Sequence, residues 1–160
     1  MGDVNAEARE TVDLIGATAT FIPMGGASSY SLIEWEARVG AVSPPVHVHH
    51  KTDESFYVMS GTFVFLLDGV ETLESAGAHV VVPMGQPHTF WNAGGKPAKC
   101  LVIISPPGFE AYFRELATLL STANSEEAAV EARVRLSAKY DIEVVGPPRR
   151  PGRPHKQPAG

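Results

Sequence analysis

Between residues 14 and 105 the chain alternates short apolar, β-prone runs with residues that bend or stop a backbone. The runs are LIGATATFI, SYSLIEWEARV, PVHVHH, SFYVMS, TFVFLL and HVVVP, followed by TFW and KCLVIIS. The breaks fall at 23–26, Pro44-Pro45, Gly61, Asp68-Gly69, 75–77 and 92–97, which are rich in glycine, proline, serine and asparagine. In the second run Ile33 and Trp35 share one face, and Leu32, Glu34 and Glu36 share the other, the period of a half-buried strand. Asp68-Gly69, set between residues 63–67 and 70–73, predicts a tight hairpin, because Asp-Gly accepts the turn whose twist matches paired strands. These eight runs, with residues 70–73 as a ninth, stand at short, regular spacing and predict a mainly β sandwich or barrel.

The pattern changes after Pro106-Pro107. Phe109, Tyr112, Phe113, Leu116, Leu119 and Leu120 recur with the period of one helical face, which predicts a helix docked on the barrel. Asn124 with Glu127 three residues later has the form of a capping box and predicts a second helix to about Lys139, anchored by Val130, Val134 and Leu136. Residues 146–160 are rich in proline and arginine and carry no large apolar side chain, so they are expected to form a loose arm outside any sheet. The expected organisation is an N-terminal arm over 1–12, a barrel over 13–106, helices over 107–140 and a Pro/Arg-rich tail over 141–160.

Composition narrows the class. A chain of 160 residues fits one domain, and its 15 glycines and 13 prolines favour turns over long helices. The net charge of -5 gives no basic footprint, so nucleic acid is not an expected partner. A single cysteine, Cys100, excludes an intramolecular disulfide framework and a multi-cysteine zinc site. No apolar run approaches the roughly 18 residues that span a bilayer, and the first ten residues are too polar for a secretory signal. The expectation is a soluble, cytoplasmic protein with no membrane partner.

The histidines carry the chemistry. His47 and His49 stand two apart in a β-prone run, so both side chains point to one side. Glu54 opens the next run, and His88 follows Pro83-Met-Gly85-Gln-Pro. Three imidazoles and one carboxylate suit a borderline divalent cation and leave coordination positions open, as a catalytic site requires. His50 has the opposite parity to His49 and is expected to face away. His79 reads as structural, His155 as solvated, Asp53 as an exposed turn acid and Cys100 as a buried thiol.

The spacing forms two units: Gly40, six residues, His47-x-His49, four residues, Glu54, six residues, Gly61; then Gly77, five residues, Pro83-x-Gly85, two residues, His88, three residues, Asn92. These resemble the two motifs of the cupin superfamily, and the segment Pro44-Pro-Val-His-Val-His-His-Lys-Thr-Asp-Glu54 resembles small single-domain members of the quercetin-dioxygenase-like type. The resemblance implies a double-stranded β-helix, or jelly-roll barrel, with a C-terminal helical extension. It also implies the metal ligands His47, His49, Glu54 and His88, the same four selected above.

An open site of this kind points first to a metal-dependent dioxygenase acting on a small aromatic or enolic molecule. One divalent transition metal per chain is expected, iron first, with zinc, nickel and manganese as alternatives, and Glu54 would serve as ligand or base. A non-redox cyclase, isomerase or dehydratase, or a non-catalytic small-molecule-binding cupin, stays open beside it. Trp35, Phe56, Phe63, Phe65, Phe90, Trp91 and Asn92 are the candidate pocket residues. A homodimer is expected because barrel edges invite pairing, with residues 14–22 as the candidate strand to add to a neighbour.

Overall fold

The computed structural model describes residues 8–24 and 27–152; Arg153, His155 and the first seven residues of the expected arm lie outside them. The alternation in the sequence becomes two antiparallel sheets. The six-stranded sheet runs β1 (Glu10–Asp13), β2 (Ala17–Ile22), β3 (Ser31–Ala37), β10 (Ala98–Ser105), β5 (Asp53–Ser60) and β8 (His79–Val82). The five-stranded sheet runs β11 (Ile142–Pro148), β4 (Pro45–His49), β9 (His88–Asn92), β6 (Thr62–Leu67) and β7 (Val70–Ser75). The result is the mainly β jelly roll that the resemblance implied, extended by helices α1 (Glu110–Thr122) and α2 (Glu126–Lys139).

Parity decides which side chains fill the barrel. On β3, Ser31, Ile33, Trp35 and Ala37 are buried and the residues between them are not. On β5, Glu54, Phe56 and Val58 are buried while Asp53, Tyr57 and Met59 are exposed. Strand β6 is covered on both sides: Phe63 and Phe65 join the main core, and Val64 and Leu66 form a second cluster with Trp91 and Ala93. Trp91 therefore faces away from the barrel interior, as its opposite parity to Phe90 requires. Phe56, Phe65 and Phe90 pack as a triangle with ring centroids 4.7 to 5.7 Å apart.

Two turns depend on glycine. The β6–β7 hairpin has positive φ at both Asp68 and Gly69, the turn predicted from their sequence. Gly61, between β5 and β6, has φ +74°, and a Cβ there would stand 2.6 Å from Ala98 Cβ. Gly61→Ala is expected to cost about 2–4 kcal/mol, because a left-handed backbone and a backbone-level clash act together. Chemical denaturation measures it; a loss within about 0.5 kcal/mol would contradict the tight approach.

Helix α1 buries Tyr112, Phe113, Leu116 and Leu120 against the barrel, while Leu119 is 37% exposed and falls off the predicted stripe. The N-cap of α2 is Ser125, whose hydroxyl accepts from the Ala128 amide at 3.1 Å, one residue later than the Asn124 expected from the sequence. The buried face of α2 is Ala132, Leu136 and Ser137, and Val134 is exposed. Glu115 ties the helices together by accepting from Lys139 Nζ at 2.7 Å and from the Tyr140 hydroxyl at 2.6 Å.

Both chain ends depart from expectation. Glu10–Asp13 is paired with β2, so the last part of the expected arm is strand β1. That pairing also places β2 between β1 and β3, with no free edge to offer a neighbour. At the other end Gly146 and Pro148 lie in the β11–β4 ladder opposite Val46 and Pro45, and the Arg149 amide donates to Ser43 Oγ at 2.7 Å. Proline is tolerated there because β11 is the edge strand and its register is irregular at those positions. The tail thus contributes a strand before it leaves the sheet.

Candidate metal centre

His47 and His49 project from the same face of β4, with ring centroids 5.0 Å apart. His88, the first residue of β9, is the cross-strand partner of His47, and their rings stand 4.3 Å apart. Glu54 comes from β5 in the opposite sheet, so the cluster bridges the two layers of the barrel. One ligand atom from each of His47, His49, Glu54 and His88 lies within 4.8 Å of every other.

The local framework aims these side chains. The Pro45 carbonyl accepts from His47 Nδ1 at 2.8 Å and the Gln86 carbonyl accepts from His88 Nδ1 at 2.9 Å, which leaves each Nε2 for the cluster. The Gly85 amide donates to the His49 carbonyl at 2.8 Å, and the Met84 amide donates to Asp53 Oδ1 at 3.1 Å. The Pro83-x-Gly85 turn is thereby tied to both strands that carry the other ligands. Asp53, expected as an exposed turn acid, acts as a turn acceptor.

His49 supplies the test of fit. It is 4% exposed, and neither ring nitrogen has a hydrogen-bond partner. A buried imidazole without partners is costly, and a cation bound through Nε2 would satisfy one of its nitrogens. Three imidazole nitrogens and one carboxylate oxygen suit a divalent transition metal. The residues present therefore fit such an ion.

Protonation follows from burial and neighbours. Burial, reinforced by the nearby His88 and His49, pushes His47 down to about 3. Burial also lowers His49. Burial alone would raise Glu54, but the hydrogen bond from His88 and the surrounding imidazoles hold it below the usual carboxylate value. For His88 burial acts downward and is outweighed by the Glu54 carboxylate, 3.0 Å from its Nε2, so the group is raised. His47 and His49 are thus neutral near pH 7, as ligands must be, and the proton that competes with metal is the one between His88 and Glu54. Because that proton is favoured as pH falls, metal affinity is expected to drop on acidification, with a net release of protons as the ion binds. Titration calorimetry in buffers of different ionisation enthalpy reads this release; release of none would contradict it.

The cluster opens on a cavity of about 50 Å³. Trp35 and Phe90 line it, as the sequence suggested, together with Val102, Pro44 and Pro45. Phe56, Phe63 and Phe65 do not: each is at most 1% exposed and packs in the core beneath Phe90. Asn92 does not line it either. Its amide donates to the carbonyls of Ala37 and Lys96, and its oxygen accepts from the Gly94 amide, so it fastens the following turn. Their parity was read correctly, but parity places a residue inside a barrel without saying at what depth.

The outer wall comes from segments not read as pocket. Phe109, Tyr112, Phe113 and Leu116 cover the cavity from α1, Arg133 and Ser137 from α2, and Ile142 and Val144 from β11. The Phe109 ring stands 5.1 Å from His49 and the Phe113 ring 5.9 Å from Trp35. The aromatic density of Phe109, Tyr112 and Phe113 was the available signal for this wall. Of the remaining candidates, His50 is exposed and bonds Glu143 at 2.8 Å, His79 is exposed on β8, and burial pushes the Cys100 thiol up.

Fold and site together define a cupin jelly roll with a four-residue cluster able to hold a metal ion. Residues 33–104, which include all four, match the family model described as Cupin domain. No curated relative matches the sequence. Solved structures of similar fold include KdgF from Halomonas sp., 22% identical with TM-score 0.57, the match covering 69% of this chain and 99% of that one. A sugar phosphate isomerase of the cupin superfamily from Silicibacter pomeroyi is 24% identical with TM-score 0.54, over 66% of this chain and 74% of that one. The nucleoside dehydratase Pac13 of Streptomyces with uridine is 16% identical with TM-score 0.54, over 69% and 86% of the two chains. At these identities the likeness is one of fold. No helix among the described residues is long and apolar enough to cross a membrane.

Proposed function

We propose that this chain is a metal-dependent enzyme acting on a small aromatic or enolic molecule. The supporting observation is the cluster of three imidazoles and one carboxylate facing a largely apolar cavity. A divalent metal bound there would supply Lewis acidity and, as iron, a path for electrons to dioxygen. The chain's own residues supply the rest. Glu54 is held as a carboxylate and can take a proton from a substrate hydroxyl or activated C–H. Trp35, Phe90, Phe109 and Phe113 exclude water and offer ring faces to an unsaturated substrate.

With iron and oxygen this reading is a dioxygenase. A second reading, a non-redox isomerase, cyclase or dehydratase, is supported by Glu54, a buried carboxylate that can move a proton with no electron transfer. The two are separated by loading the protein with iron or with zinc and offering flavonols and 1,3-diketones in air and under nitrogen. Oxygen uptake matched to substrate loss, with iron alone, identifies the dioxygenase. Conversion or deuterium exchange that persists under nitrogen with zinc identifies the non-redox enzyme. Tight binding with neither would make it a small-molecule-binding cupin. We also take the chain to be a homodimer, since Tyr57, Met59 and Val81 leave an apolar outer face on the six-stranded sheet. Light scattering at the mass of a single chain would reject that.

A further inference from the structure

Beyond the metal cluster, the cavity contains one charged group that the sequence did not single out. Arg133 lines the cavity from α2 and also lines a second, larger space of about 570 Å³ on the outside of the barrel. Pro45 is the other residue common to both. These two residues therefore stand at the neck between the metal cavity and an outer groove. The groove is bounded by Leu14 and Ile15 before β2, by Val42 and Ser43 before β4, and by Ala129 and Val130 of α2.

The guanidinium has no partner. Among the described residues it makes no ion pair and no side-chain hydrogen bond, whereas Arg114, Lys139 and Arg150 are paired with Glu10, Glu115 and Glu126. The acids that face it are committed elsewhere. Glu54 is bonded to His88 and stands 3.6 Å from His49, and Glu126 at the groove is held by Arg150. Arg133 is half-buried beside Tyr112, and that burial acts to lower its affinity for its proton. Arginine stays charged in such a place, so a half-buried guanidinium with no acidic partner is left with donors free for a ligand. An arriving anion would accept from them.

We propose that Arg133 is the anion-recognition residue of this pocket and that the substrate is a small organic carboxylate with an apolar body. This rests on the reading of the cavity as a substrate site. Its carboxylate meets Arg133 at the neck, its oxygen-bearing end points to the cluster, and the remainder lies in the groove. The size of the inner cavity supports this order, since about 50 Å³ admits only the end of an organic molecule. One guanidinium matches one negative charge, and its planar fork matches the two oxygens of a carboxylate. Apart from the histidines of the cluster, no other cation lines either space among the described residues, which argues against a phosphate dianion.

The test uses the full chain, zinc-loaded and after chelation, with 3-phenylpropanoate and its uncharged amide as probes in titration calorimetry. The carboxylate is expected to bind about tenfold tighter than the amide, the size of one charge-assisted contact. Arg133→Gln is expected to bring the two probes within about twofold, and Arg133→Lys to keep part of the preference. As a check that needs no variant, the carboxylate and not the amide is expected to protect Arg133 of the unaltered chain from phenylglyoxal, read by peptide mass. Equal affinity for the two probes, an undiminished preference in Arg133→Gln, or absence of protection would each overturn the proposal. A preference seen only with zinc bound would do so too, since the metal would then be reading the charge. Because the chelated arm contains no metal, failure of the metal assignment leaves this result standing, and the reverse also holds.

Discussion

Replacing His88 by alanine is expected to remove stable metal binding and every activity that depends on it. His88 is 1% exposed, its Nδ1 is fixed on the Gln86 carbonyl, and its Nε2 faces the other three donors. The variant loses one of four donors and also the only described hydrogen-bond partner of Glu54. A carboxylate left buried without its partner costs about 3–5 kcal/mol, so the folded state should weaken as well. Glu54→Gln separates the two effects: it removes the buried charge and keeps a neutral side chain of the same shape. Elemental analysis and denaturation of both variants are expected to show loss of metal in each and the larger loss of stability in His88→Ala. Stoichiometric metal in His88→Ala would remove that residue from the ligand set.

Ending the chain after Asp141 is expected to be the most damaging truncation. It removes β11, whose Ile142 is 6% exposed and whose Ile142 and Val144 wall the cavity. Loss of the Ile142 side chain alone costs about 2–5 kcal/mol, and the deletion also strips the backbone partner from β4. Since β4 carries His47 and His49, metal content should fall together with stability. Ending the chain after Gly152 instead removes eight residues with no large apolar side chain, and its melting temperature is expected to match that of the full chain. Equal stability of the two truncations would contradict the role given to β11.

The contrast between those truncations shows where sequence reading succeeds. Strand positions from Ala17 to Ser105 were legible because several, such as β2, β3, β5 and β10, bury alternate residues and because turns with their own chemistry, as at Asp68-Gly69, separate them. The four cluster residues were legible because a two-residue spacing on one strand places His47 and His49 together whatever the rest of the fold does. Strand β11 was not. Its sequence, IEVVGPP, combines a short apolar alternation with two prolines that signal the end of regular structure, and only the position at a sheet edge makes them acceptable. The outer wall was hidden for a related reason. A stripe from Phe109 to Leu120 says that a helix is docked, but not that the surface beneath it includes a metal cluster. Arg133 carries no local pattern at all; its meaning comes from the burial of α2 and the absence of a carboxylate beside it.

The central claim is that His47, His49, Glu54 and His88 hold one metal ion. The most direct measurement is elemental analysis of the full chain purified without added metal or chelator. The expected result is one equivalent of a divalent transition metal per chain, removed by chelation and restored by dialysis against the same ion. A chain that is folded and free of metal, and that binds none of iron, zinc, nickel or manganese when they are supplied, would contradict it.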